Sequence, residues 1–114
     1  MWTYRAHCYH VVDGDTFDVA VDLGFMVYHK IRIRLRGVDT PEIYGAHPTP
    51  EGKAASDYVK ALIENKDVVI TTYKTTATTF NRWEADVQFT HDTGALIQLS
   101  EHLVELGYAK RVLI

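Results

Sequence analysis

The sequence predicts a mainly β, α+β fold: a five-stranded Greek-key barrel with one helix between strands three and four and a second helix near the C-terminus. Three observations predict it. Apolar and polar residues alternate with period two in several separate stretches, as in half-buried strands. Two other stretches place apolar residues at helical spacing. The order along the chain is three strands, a helix, two strands and a helix.

The elements follow in turn. Tyr4 to Val12 is rich in aromatic and β-branched residues and stops at Asp13-Gly14, a dipeptide suited to the φ > 0 positions of tight hairpin turns. From Thr16 to Leu23, Phe17, Val19, Val21 and Leu23 alternate with Thr16, Asp18, Ala20 and Asp22. Gly24 breaks the run, and Ile31, Ile33 and Leu35 then alternate with Arg32, Arg34 and Arg36. These three strands read as a meander. Thr49-Pro50-Glu51 supplies an N-cap, a proline at the first helical position and a first-turn acid. Ala55, Tyr58, Val59, Leu62 and Ile63 then line one face of a helix of about four turns. Val68 to Tyr73 forms the fourth strand. Lys74 to Thr79 is a threonine-rich loop, and Trp83, Ala85, Val87 and Phe89 alternate with Arg82, Glu84, Asp86 and Gln88 in the fifth strand. After a turn at Asp92-Thr93-Gly94, Leu99, Leu103 and Leu106 stack at helical spacing, with Ser100 near the start and Gly107 as the stop. This order resembles the OB-fold.

With 114 residues, 46% of them hydrophobic, the chain is expected to form a single domain over residues 1–114 with one core. No apolar run approaches the roughly 20 residues that span a bilayer, so no membrane partner is expected. Met1 to His7 has no secretory h-region, which points to an intracellular location, or to secretion if a leader has been removed. Cys8 is the only cysteine and excludes both an intrachain disulfide and a cysteine-rich zinc site. The six histidines show no paired ligand spacing. A net charge of −3 argues against a protein that coats nucleic acid by broad phosphate neutralisation, so any such contact must be local. No obligate protein partner is evident.

Four pieces carry possible chemistry, and each has an ordinary reading when taken alone. Asp13-Gly14-Asp15-Thr16 sets two carboxylates at a turn mouth where a hard cation collects oxygen ligands, yet it is also a plain hairpin turn. Val38-Asp39-Thr40-Pro41-Glu42 follows the third strand, where a proline-fixed turn aims Glu42 at a bound water, or merely ends the strand with an exposed acid. Arg34 is one of three arginines on a strand face that is ordinarily solvated. Arg82 opens the fifth strand. Together they meet the needs of metal-assisted phosphodiester hydrolysis: acidic oxygens for a cation, a carboxylate to activate water, and two guanidiniums for the phosphate oxygens.

With these pieces in this order, from Val12 to about Arg111, the chain resembles the staphylococcal nuclease (thermonuclease) family. Asp-Gly-Asp-Thr, Arg34 to Glu42, the Ala54 to Ile63 helix, Arg82 and Leu103 to Lys110 carry the resemblance. It implies a calcium-dependent endonuclease acting on DNA or RNA and leaving 3′-phosphate and 5′-hydroxyl ends. By resemblance, Asp15 and Asp39 bind one calcium ion through carboxylates and Thr40 binds it through its carbonyl. Asp13 orders metal-bound water, Glu42 is the general base, and Arg34 and Arg82 hold the scissile phosphate. Asn81 and Trp83 replace glycines that usually flank the second arginine, and Phe80 replaces a usual tyrosine. Phe80, Trp83 and Tyr44 are candidate base-stacking residues, although the alternation of Trp83 with Ala85 and Val87 favours plain barrel core for it. The alternative function is a non-catalytic nuclease-like module that binds single-stranded nucleic acid or peptide. Copies of that kind characteristically lose active-site acids or arginines, and here Asp15, Asp39, Arg34, Glu42 and Arg82 are all in place.

Overall fold

The computed structural model describes residues 2–41, 49–73 and 82–112, with Arg82 described by its backbone alone. β1 (Trp2–Asp13), β2 (Thr16–Asp22) and β3 (Tyr28–Leu35) form the expected antiparallel meander. β1 starts at Trp2 rather than Tyr4, because its N-terminal half has a second partner. β4 (Val38–Asp39) is a two-residue strand, and α1 (Pro50–Ile63) follows. β5 (Lys66–Tyr73) runs antiparallel to β1 from Trp2↔Thr72 to Cys8↔Lys66. β6 (Arg82–Thr90) is antiparallel to β5 and returns parallel to β3, with Ile33 opposite Trp83 and Leu35 opposite Ala85. That last pairing closes the five-stranded OB-fold barrel.

The inward rows are those the alternation predicts, except that Leu23 falls just beyond β2 and is half exposed. Phe17, Val19 and Val21 of β2, Ile33 and Leu35 of β3, and Ala85, Val87 and Phe89 of β6 are all buried. Truncating one of the large aliphatic residues to alanine costs about 2–5 kcal/mol, since interiors this dense relax only partly around a cavity. Val59 and Ile63 of α1 belong to the same core. The helix starts where the sequence predicts: the Thr49 hydroxyl accepts a hydrogen bond from the Gly52 amide at 2.9 Å, a cap worth about 1 kcal/mol. At its exit the Glu64 carboxylate accepts from the Val11 amide at 2.9 Å, where β1 is irregular against β2.

Three short elements complete the chain: β7 (Leu96–Gln98), paired with β6; α2 (Leu99–Glu105); and β8 (Lys110–Arg111). The second helix differs in detail from its expected form. Leu106 is half exposed and caps the helix instead of continuing its apolar stripe; Gln98 occupies the N-cap, and Ser100 lies near the start as expected. Gly107 does stop it, at φ +81°, and the Tyr108 amide turns back to the Leu103 carbonyl at 2.9 Å. This reversal delivers β8 to β4, pairing Val38 with Arg111 and Asp39 with Lys110. Among the described residues, no helix is long and apolar enough to cross a membrane.

Candidate functional site

The β1–β2 connection is a two-residue turn of Gly14 and Asp15, with Asp13 opposite Thr16. The Asp13 carboxylate accepts from the Asp15 amide at 3.0 Å, which shapes the turn. Gly14 does not have the positive φ that an Asp-Gly turn suggests. Its glycine answers another need, because a β-carbon there would meet the Thr40 hydroxyl oxygen at 2.8 Å. The turn therefore lies directly on the segment that follows β4.

Asp15 is buried and collects donors from three directions. The Thr16 hydroxyl donates to Oδ1 at 3.1 Å, the Thr40 amide to Oδ2 at 3.2 Å, and Arg34 Nη2 to Oδ2 at 3.5 Å. Arg34 Nη2 also donates to Asp39 Oδ1. Of the three arginines on β3 and its exit, only Arg34 turns to these acids. Arg32 makes a two-pronged pair with Asp18, and the Arg36 guanidinium lies over the Tyr73 ring at 3.9 Å. Side-chain exposure separates them too, at 21% for Arg34 and 51% for Arg32.

These groups open on one cleft of about 810 Å³, lined also by Pro41, Gly107, Tyr108 and Lys110. Burial, reinforced by a hydrogen bond to Asp15 and repulsion from it, raises the Asp13 carboxyl from its ordinary 3.8 to about 6. Two carboxylate oxygens, from Asp15 and Asp39, converge on one guanidinium nitrogen, so the site already holds a positive centre between hard oxygen donors. Carboxylate oxygens are hard donors of the kind calcium takes, alongside carbonyls and water. No group of three or more histidine, cysteine or acidic side chains stands close enough together to hold a metal among the described residues. For Thr40 the observed contact is its amide on Asp15, which braces that carboxylate.

The structure thus brings together Asp13, Asp15, Arg34, Asp39 and Thr40. Arg82 opens β6 with Arg32 as its parallel register partner. Glu42, Tyr44 and Phe80 lie outside the described residues. Trp83 does not reach the cleft; it is partly buried, packs on the core and lines concavities elsewhere, with Tyr4 and Ile31 or with Tyr9 and Lys30. Tyr108 and Lys110 were not singled out from the sequence as site residues. The signal for them was their position just after the Gly107 stop, which turns the chain back toward β4.

A closed OB barrel with acids and one arginine gathered at the β1–β2 turn defines a nuclease-like domain. The family model for staphylococcal nuclease homologues matches residues 32–114, and the chain belongs to that family. The match includes Arg34, Asp39, Glu42 and Arg82 and begins after the turn that carries Asp13 and Asp15. A search of curated proteins returned no match.

Proposed function

We propose that this protein is a calcium-dependent endonuclease that hydrolyses phosphodiester bonds of DNA, RNA or both, leaving 3′-phosphate and 5′-hydroxyl ends. The observation that carries the proposal is the convergence of Asp15 and Asp39 on Arg34 inside the cleft. Asp15, Asp39 and the Thr40 carbonyl would hold the ion, with Asp13 ordering water beside it. Bound calcium supplies positive charge against the phosphate oxygens.

The chain's own residues do the rest. With Asp39 turned to the cation, the Arg34 fork is released to take two phosphate oxygens, and Arg82 takes charge that builds on the phosphorus centre. Glu42, next to the cleft residue Pro41, accepts a proton from the attacking water. A bond forms from that water oxygen to phosphorus, and the bond to the 5′ oxygen breaks. The leaving oxygen takes up a proton and departs as the hydroxyl.

One observation favours the non-catalytic alternative: Arg34 is already engaged by Asp39, so the pair must separate before Arg34 can hold phosphate. A single experiment decides between the readings. Purified protein is incubated with single-stranded DNA, duplex DNA and RNA, with calcium or with a chelator. Calcium-dependent cleavage is expected. Glu42→Gln should slow it by about two to four orders of magnitude with calcium binding kept, and Arg34→Lys should be severely impaired because a point charge replaces a fork. Binding of nucleic acid without any cleavage establishes the alternative.

A further inference from the structure

We infer that Tyr108 is a stacking platform for a nucleobase adjoining the phosphate held by Arg34, which makes unpaired nucleic acid the preferred occupant of the cleft. The inference rests on the nucleic-acid reading of that cleft. Tyr108 stands in the cleft wall with Asp15, Arg34, Asp39 and Lys110, and is half-buried. Its ring lies on Tyr58 of α1, with centroids 4.6 Å apart and planes within 16°. The Tyr58 hydroxyl meets His102 Nε2 of α2 at 2.7 Å, with the two rings side by side, their centroids 5.9 Å apart and their planes within 20°.

Tyr108 and Tyr58 form a two-ring stack that His102 ties to α2 through the Tyr58 hydroxyl, and Tyr108 is its end at the cleft. Among the described residues, Tyr58 is the ring partner of Tyr108. Its backbone is fixed on both sides, by the amide bond to the Leu103 carbonyl and by the Asp39↔Lys110 pairing two residues later. A ring held this firmly loses little freedom when a base lies on it. Stacking tolerates any base but needs an exposed π-face, which a paired base inside a duplex does not offer.

The test uses Glu42→Gln protein with calcium and short oligothymidines in which one 2-aminopurine is moved along the strand. At one position its fluorescence should be quenched on binding. Tyr108→Leu, which keeps an apolar contact with Tyr58, should abolish that quench and weaken binding roughly tenfold or more, the scale of a lost base stack. Tyr108→Phe should retain both. An abasic residue at the same position should bind the parent and Tyr108→Leu equally. Calcium affinity, measured by calorimetry, should be the same in all three proteins, as a merely structural tyrosine would not allow. If Tyr108→Leu binds the single strand as tightly as the parent, or loses affinity equally for the abasic strand, the platform is overturned while the cleft reading stands. If the Glu42→Gln parent binds no oligonucleotide, the reading beneath it fails and the platform fails with it.

Discussion

A β-carbon built on Gly14 lies 2.8 Å from the Thr40 hydroxyl oxygen and 2.9 Å from its methyl group, closer than real contacts permit. Gly14→Ala must therefore push Thr40 away, and with it the amide that braces Asp15. A loss of about 1–3 kcal/mol in a urea titration is expected, the usual cost of overpacking, together with weaker calcium binding by calorimetry. Asp13 gives a pH prediction. Its carboxyl is raised to about 6 in the fold and returns to an ordinary 3.8 on unfolding, so the fold binds its proton more tightly. The stabilisation is fully present below about 4 and is lost as pH rises through 6. For a partly exposed group the discounted size is on the order of 1 kcal/mol. The calcium-free protein should show this fall between pH 4 and 6, and Asp13→Asn should lack that component. An Asp13→Asn protein with the parental slope would place the raised acid elsewhere. Cys8, buried in β1 with its thiol pushed up to about 11 chiefly by desolvation, should resist thiol reagents until the protein unfolds.

At the scale of elements, the period-two runs from Thr16 to Leu35 and from Trp83 to Phe89 were legible because each strand buries one face only. The helix start at Thr49 was legible because cap, proline and acid act locally. β4, β7 and β8 were not, since two or three residues are too few to show a period, and β4 and β8 moreover pair across a long stretch of chain. The β2–β3 turn shows a local choice that the sequence leaves strained. Gly24, Phe25 and Met26 all have positive φ, at +82°, +54° and +63°, and Phe25 and Met26 are almost fully exposed. A side chain at such an angle costs roughly 1–2 kcal/mol and here gains no burial in return. Met26→Gly should stabilise the protein by about 0.5 kcal/mol, the relief being partly offset by the greater freedom of glycine in the unfolded chain. A lower denaturation midpoint would show that the turn gains from its side chains.

For the whole molecule, the closing β3–β6 pair and the gathering of Asp15, Arg34 and Asp39 are long-range events. Residue types and motif order pointed to the site, whereas the Tyr108–Tyr58 stack depends on helix placement that no local pattern encodes. The same scale governs binding. The net charge is −3, and the cations along β3 already have partners: Lys30 over Tyr9, Arg32 on Asp18, Arg36 on Tyr73. With Arg34, Arg82 and Lys110 as the phosphate contacts of the proposed function, about three phosphates are neutralised. The logarithm of single-strand affinity should fall against log salt with a slope near −2, at about 0.7 per phosphate. A much steeper slope would reveal a basic track beyond the cleft.

The β4–β8 ladder also bears on when the protein becomes able to act. Among the described residues the strand partner of Asp39 is Lys110, so this side of the cleft wall is incomplete while the ribosome still holds residues 110 and 111. Contacts of such sequence separation form late in any case. On the proposed function, a nascent chain would not cleave RNA until Lys110 and Arg111 have left the exit tunnel. Ribosomes stalled with Arg111 inside the exit tunnel should show no calcium-dependent cleavage of added RNA, and the same complexes stalled well beyond it should regain whatever activity the free protein has.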